Sequence, residues 1–375
     1  MSRFDETIAP LLPLLRCPVC GSPETLETRN GALDSGPSVE LHHQHLACGA
    51  CGAQYPITGD FIPILWDADV KAVLMGRHED QNPSLDAMTA NMEVYDVISD
   101  AYDACSHRES RLPKQMVNAV KRIVGKEATR TQGGSGTRYH VDFGCGPGHV
   151  IGWLKELDSV HIGLDISLAN LRNARKHTGC FVVCGSACSM PFQTASVDLV
   201  TESSVLHHIF EWQKAVSESL RICKPSGGIV LDSEPTKAQM ALSRLAVMVF
   251  DARFKPYQVL SYFNKDKYIF RNVQRARLNA QAEVHHQPGG GFRSDEVEAL
   301  IRRAGFTADI VLSPSADLVS KAAPNWKEVL LSVLSARNPW NPKFGQFTVI
   351  GYGPLVGDSP GSGAPIRGRA TRSRG

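Results

Sequence analysis

The chain has 375 residues, 42% hydrophobic and 21% charged, with a formal net charge of +2. That length suits two or three domains, and that composition suits an ordinary globular protein rather than a disordered or fibrous one. The near-neutral balance makes no demand for nucleic acid, and no apolar run reaches the roughly 18 residues that span a bilayer. Ten cysteines are too sparse for a disulfide scaffold.

Leu11–Leu15 leads into Cys17-Pro18-Val19-Cys20-Gly21, and Cys48-Gly49-Ala50-Cys51-Gly52 follows. Each Cys-x-x-Cys turn presents two thiolates to one ion, and two such turns make a four-sulfur tetrahedral zinc site without an open position. The 27 intervening residues exceed the roughly 15–20 of a compact ribbon. The Gly-, Ser- and Pro-rich stretch Asn30–Ser38 reads as the extra loop. Unligated thiols or a disulfide are the alternative use; His42, His43 and His45 are competing ligand candidates, though flanking surface histidines are commoner. Paired metal-type cysteines, with no secretory pattern in Met1–Glu6, lead us to expect a reducing cytoplasm and no membrane partner.

Tyr55-Pro56-Ile57, followed by Ile62-Pro63-Ile64-Leu65, completes a pattern over about 11–66. With the cysteine pairs it resembles the small zinc-binding activator protein that partners tRNA, rRNA and translation-factor methyltransferases. The resemblance implies a structural Zn2+ on Cys17, Cys20, Cys48 and Cys51 and a docking surface. Phe61 departs from the short Gly-Ile-Pro lead-in that the family often has.

Beyond a polar linker at Glu79–Ser84, Asn91–Asp103 has helical periodicity, and Gln115–Val124 reads as a second helix. Thr129–Thr137, with Gly133-Gly134-Ser135-Gly136, reads as a flexible joint.

Val141-Asp142-Phe143-Gly144-Cys145-Gly146-Pro147-Gly148-His149-Val150 describes a buried strand, a tight turn and a helix start. Glycine lets a ligand approach the backbone, and free N–H groups at a helix start favour an electronegative group. Asp165 lies 23 residues after Asp142 and closes the apolar run Val160–Leu164. An acid at that distance suits a ribose-hydroxyl acceptor at the end of the second strand. A dinucleotide site would usually read Gly-x-Gly-x-x-Gly; here the third glycine comes one residue early. Phe181–Cys184, Val197–Thr201 and Ile229–Leu231 alternate with helical stretches at Leu168–His177 and Gln213–Cys223, the signature of a parallel sheet covered on both faces.

With Leu206-His207-His208, this constellation resembles the class I S-adenosylmethionine-dependent methyltransferases of the type 11 kind, closely over 137–235 and more weakly over 291–353. The resemblance implies a doubly wound, Rossmann-like α/β sheet of seven strands, its last strand Phe347–Tyr352 antiparallel, with the zinc-ribbon β module in front. It implies S-adenosyl-L-methionine as methyl donor, bound by Tyr102, Asp142, Gly144, Gly146, Gly148, Asp165, Ile166, Ser186, Ala187 and Ser203. For Tyr102 an amphipathic cover helix is the alternative reading. Ser186 stands where relatives usually carry an aspartate that accepts from the adenine amino group. Cys180, Cys184 and Cys188 approach the Cys-x3-Cys-x2-Cys of radical iron–sulfur enzymes, but the last spacing is one residue long, and they read as small buried hydrophobes.

His207 or His208, leaving the fourth strand, is positioned to take a proton from a hydroxyl or amine nucleophile; capping and packing are the alternative. His285 and His286, beside the loop Pro288–Gly291, are further candidate bases by position. The acceptor-side lid 236–291 interleaves Arg253, Lys255, Lys265, Lys267, Arg271, Arg275 and Arg277 with aromatics. Such a run grips an anionic substrate or stacked bases, or is a lid with a solvated basic face. Arg293–Ala304 is amphipathic. The tail 356–375, with four Arg and one Asp, reads as disordered. The expected division is 1–75, 76–137, 138–355 and 356–375. The expected activity is methyl transfer to O, N or C of a small-molecule acceptor. An RNA or protein acceptor is the second reading, and a donor-binding scaffold with weak catalysis the third.

Overall fold

The computed structural model describes residues 3–31, 33, 40–68, 71, 82–108, 116–121, 123, 137–252, 281–313 and 326–353. The joint 129–136, the basic aromatic run 253–277, the tail 356–375 and most of the Asn30–Ser38 loop lie outside them.

A short helix α1 (Arg3–Thr7) and a 3-10 turn (Leu12–Leu14) open the chain. Strands β1 (Glu27–Asn30), β2 (Leu41–Ala47) and β3 (Gln54–Thr58) form an antiparallel sheet in that order. Helix α2 (Pro83–Arg108) begins on Asn82, whose side-chain oxygen accepts from the Ser84 and Leu85 amides, with proline at the first helical position, where its missing N–H costs nothing.

The central unit runs β4 (Tyr139–Phe143), α3 (His149–Trp153), β5 (Val160–Asp165), α4 (Leu168–Thr178), β6 (Phe181–Cys184), β7 (Val197–Ser203), α5 (Trp212–Ile222) and β8 (Cys223–Pro235). After α6 (Lys237–Met240) and α7 (Arg244–Ala252) come α8 (Ser294–Arg303), β9 (Thr307–Ser313), α9 (Trp326–Leu334) and β10 (Gln346–Tyr352). The seven strands lie in the order β6-β5-β4-β7-β8-β10-β9. β4 through β8 pair in parallel, and β10 is antiparallel to both β8 and β9. The expected antiparallel last strand is therefore present.

Local chemistry sets the boundaries. Ser167 caps α4 by accepting from the Asn170 amide, and Gly179, at φ 71°, ends it in the left-handed region, which glycine adopts without a Cβ clash. Helix α8 carries Asp295 and Glu296 in its first turn and Arg302 and Arg303 in its last, matching the helix dipole at both ends. β8 is longer than its apolar core Ile229–Leu231 because Asp232, Ser233 and Glu234 continue the strand, fully or nearly buried.

The N-terminal module shares the core of the central unit. Leu15, Tyr55, Ile57, Ile64 and Leu65 pack in one buried cluster with Phe143, Leu164 and Phe192. The Leu65 amide donates to the Cys184 carbonyl at 2.7 Å and the Cys184 amide to Pro63 at 2.9 Å. Residues 63–65 thereby line the outer edge of β6, with Ile64 in parallel register with Cys184. Asp60 adds ion pairs to Arg172 and Arg175 of α4 at 3.1 and 2.8 Å. Among the described residues no helix is long and apolar enough to cross a membrane.

Candidate active site and metal centre

The order of strands reverses between β4 and β7, and in open α/β sheets ligands bind in the crevice beyond the strand ends at that point. A cleft lies there. Gly144, Gly146, Asp165, Ile166, Ser186, Ala187 and Ser203 line it.

The glycine turn is built for close approach. Gly144 and Gly146 take φ 63° and 51°, and a Cβ on Gly144 would lie 2.4 Å from Val205 Cγ1. Gly148, at φ 90°, does not line the cleft; a Cβ there would meet Ala174 Cα at 3.1 Å, so its role is close packing of α3 against α4. Asp165 Oδ2 accepts from the Gly146 amide at 2.9 Å, and Oδ1 accepts from the Ser167 amide at 2.8 Å. Each oxygen keeps a further lone pair for a ligand hydroxyl. Burial pushes the Asp165 carboxyl up to about 6. Asn170 lines the same wall with its Oδ1 buried and unpartnered. Ser186 Oγ accepts from the Cys188 amide at 3.1 Å, so its hydroxyl proton remains available to a ligand acceptor. These groups fit the adenosyl part of S-adenosylmethionine.

Asp142 sits behind the turn rather than in the cleft wall. Its Oδ1 accepts from Thr201 Oγ1 at 2.6 Å, Thr201 Oγ1 stands 2.8 Å from His140 Nε2, and His140 Nδ1 stands 2.8 Å from His161 Nδ1. Because the threonine proton goes to the carboxylate, His140 must donate through Nε2 and accept at Nδ1 from His161. Burial holds His140 down at about 3 and lifts Asp142 to about 7. Thr201→Val keeps the shape and strands both neighbours; urea unfolding is expected to show a loss of about 2–5 kcal/mol.

The exit from β7 is held by a residue that sequence reading passed over. Glu234 Oε1 accepts from the Val205 and Leu206 amides at 2.8 Å each; Oε2 accepts from the His207 amide at 3.1 Å and pairs with His207 Nδ1 at 3.0 Å. Glu202 lies beside it, and burial drives both carboxyls up. His207 is 6% exposed, pushed down to about 3 by burial, and not in the cleft wall. His208 is in the wall. His285 and His286 lie outside it; the His286 ring is 5.2 Å from that of His207, and His285 Nε2 faces the Phe210 carbonyl at 3.4 Å.

Tyr102 falls within α2, its side chain outside the described set. Among the described residues, Tyr95 lines the cleft, with Asn91 and Met88 on the preceding turns. Helix α2 is fixed over the cleft by Ser167 Oγ donating to Asp96 at 2.6 Å and Asn173 Nδ2 donating to Ser99 at 2.8 Å.

The four sulfurs of Cys17, Cys20, Cys48 and Cys51 lie within 4.8 Å of one another. Two of the edges measure 3.6 and 3.7 Å, close to the about 3.8 Å of a sulfur tetrahedron around zinc. Tyr55 Oη stands 2.9 Å from Cys17 Sγ, a donor to a ligating thiolate. The residues therefore fit a closed structural zinc site. The metal-type knuckle also touches the loop that follows Ser186: Ser189 Oγ donates to Pro18 O, and the Arg16 amide to Pro191 O, both at 3.1 Å. Cys180 and Cys184 are buried, as expected for small hydrophobes, whereas Cys188 lines the cleft.

Residues 141–231 match the family model described as "Methyltransferase domain". The chain is similar to a demethylmenaquinone methyltransferase of Renibacterium salmoninarum, 32% identical over 38% of this chain and 55% of the relative. It is also similar to a malonyl-[acyl-carrier protein] O-methyltransferase of Methylococcus capsulatus, 26% identical over 46% of this chain and 58% of the relative. A solved Haemonchus contortus phosphoethanolamine N-methyltransferase 2 matches 68% of this chain and 56% of its own at 16% identity and TM-score 0.42. The chain spans 28–58% of the length of the curated relatives it matches. From its sheet, its glycine turn and the matched family, this chain carries a class I, S-adenosylmethionine-dependent methyltransferase domain, joined to an N-terminal four-cysteine module of zinc-ribbon form.

Proposed function

We propose that the protein transfers a methyl group from S-adenosylmethionine to a small-molecule acceptor, with a structural zinc in the N-terminal module. The observation that carries this reading is the cleft, where Gly144, Gly146 and Asp165 meet at the sheet's reversal point and α2 closes the roof. The co-substrate supplies a methyl group on a sulfonium sulfur. The chain's own part is to orient that methyl toward the acceptor and to exclude water, which is where most of the acceleration in such a displacement arises. A roofed cleft favours a small acceptor over a duplex or loop of RNA.

Isothermal titration calorimetry is expected to show one S-adenosylhomocysteine bound per chain, and no binding would overturn the proposal. RNA binding that weakens steeply with salt would move the acceptor to RNA. The pH dependence follows from Asp165. Below about 6 its carboxyl is protonated and loses its pull on ribose hydroxyls, so affinity at pH 5 is expected about tenfold below that at pH 7.5. Stability moves the other way. A carboxyl whose folded value is raised is favoured in its protonated form by folding, so its contribution falls as pH rises from about 4 to about 6.

A further inference from the structure

The roof of the cleft carries a polar group that donor binding does not explain. Tyr95 and His208 both line the cleft, with Tyr95 Oη 3.2 Å from His208 Nε2. On its other side, His208 Nδ1 stands 3.1 Å from the Ala282 carbonyl, which only accepts. Nδ1 therefore holds the imidazole proton, Nε2 is bare, and the phenol donates to it. One turn earlier on α2, Asn91 is 5% exposed and also lines the cleft. Its Nδ2 faces the carbonyls of Ala87, His208 and Ala282 at 2.8, 3.1 and 3.2 Å. Three acceptors around one nitrogen fix the amide orientation, and they leave Asn91 Oδ1 buried without a partner.

We propose that the acceptor is an O–H or N–H compound, that Tyr95 takes its proton while handing its own to His208, and that Asn91 Oδ1 holds a second donor group of the same molecule. This rests on the methyl-transfer reading above. The new bond forms from a lone pair of the acceptor oxygen or nitrogen to the methyl carbon. The sulfur–methyl bond breaks with its electron pair staying on sulfur. The acceptor's proton goes to the Tyr95 oxygen, and the phenol's proton goes to His208 Nε2.

Charge in the cleft is conserved by this sequence: one positive charge disappears at sulfur as one appears on the imidazole. Burial, with His207 and His286 nearby, holds His208 well below its ordinary value. It is therefore neutral and able to receive at pH 7, and its proton arrives as the sulfonium charge is lost. Glu234 acts at one remove, clamping the turn that aims His208.

The test uses methyl-labelled S-adenosylmethionine and a panel of small phenols, alcohols, primary and secondary amines, and carbon acids such as 1,3-diketones. Transfer to at least one O–H or N–H compound is expected. With it, Tyr95→Phe and His208→Ala each lower kcat about a hundredfold. S-adenosylhomocysteine affinity stays within about twofold of the parent, and the double variant falls no further than the worse single one. Asn91→Leu raises KM more than it lowers kcat. Without any acceptor, 15N spectra of the histidines are expected to show His208 neutral with its proton on Nδ1. Transfer to carbon acids alone, no transfer to any O–H or N–H compound, parental kcat in Tyr95→Phe, or a proton on Nε2 of His208 would each overturn the inference. Wild-type protein that fails to bind S-adenosylhomocysteine instead removes the reading beneath it.

Discussion

Replacing Asp165 by alanine is expected to weaken S-adenosylhomocysteine binding about a hundredfold, from loss of the charge-assisted bonds to two ribose hydroxyls. Two further consequences separate this outcome from simple damage. Asp165 is 8% exposed and its carboxyl is pushed up to about 6 by burial, so the native state bears a desolvated charge that alanine removes. Against that relief stand the lost bonds to the Gly146 and Ser167 amides. The two effects oppose each other, and the thermal midpoint is expected to move little. Calorimetry and a melting curve on the same sample settle the point. Undiminished affinity would show that the cleft does not hold the adenosyl group in the assigned way.

The double variant Cys17→Ser/Cys48→Ser is expected to lose the metal and much of the protein's stability. Structural zinc contributes roughly 10–16 kcal/mol in isolated finger peptides, as much as the whole stability of a typical domain. Here the loss reaches beyond the module. Cys17 and Cys48 are buried in the cluster that also holds Phe143 and Leu164, and the adjoining knuckle holds the cleft-lining loop after Ser186 through Pro18 and Arg16. Elemental analysis is expected to find about one zinc per chain in the parent and none in the variant, with a lower melting point and weaker S-adenosylhomocysteine binding. Unchanged metal content would refute the four-cysteine assignment. Unchanged donor affinity after metal loss would show that the loop after Ser186 stands without the module.

The parts of the fold and site that were legible are those whose signal is local. A glycine turn, an acid 23 residues later and two Cys-x-x-Cys knuckles each declare themselves within a few positions. The parts that were hidden depend on strand register. Thr201 meets His140 and Asp142 because β7 lies beside β4 with His140 opposite Leu199 and Asp142 opposite Thr201. No pattern along the chain encodes that meeting. Glu234 lies 27 residues beyond His207, in a polar run past the apolar stretch Ile229–Leu231 that extends β8 because its acids find donors. The place of Tyr95 in the cleft wall was hidden for a different reason. Tyr95 and Tyr102 are both followed by aspartate, and they lie seven residues apart, so they share a helix face and periodicity cannot rank them. Cross-contacts from α2, Asn91 to His208 and Asp96 to Ser167, set Tyr95 over the cleft.

The pairing of residues 63–65 with the rim of β6 has a consequence for assembly. An unpaired rim is a template for other chains and a route to aggregation. Here the cover is part of the same polypeptide. Its closure is unimolecular, so dilution cannot strip it away. A helper supplied as a separate chain would depend on its own abundance. In this chain the ratio of cover to enzyme is fixed at one by translation.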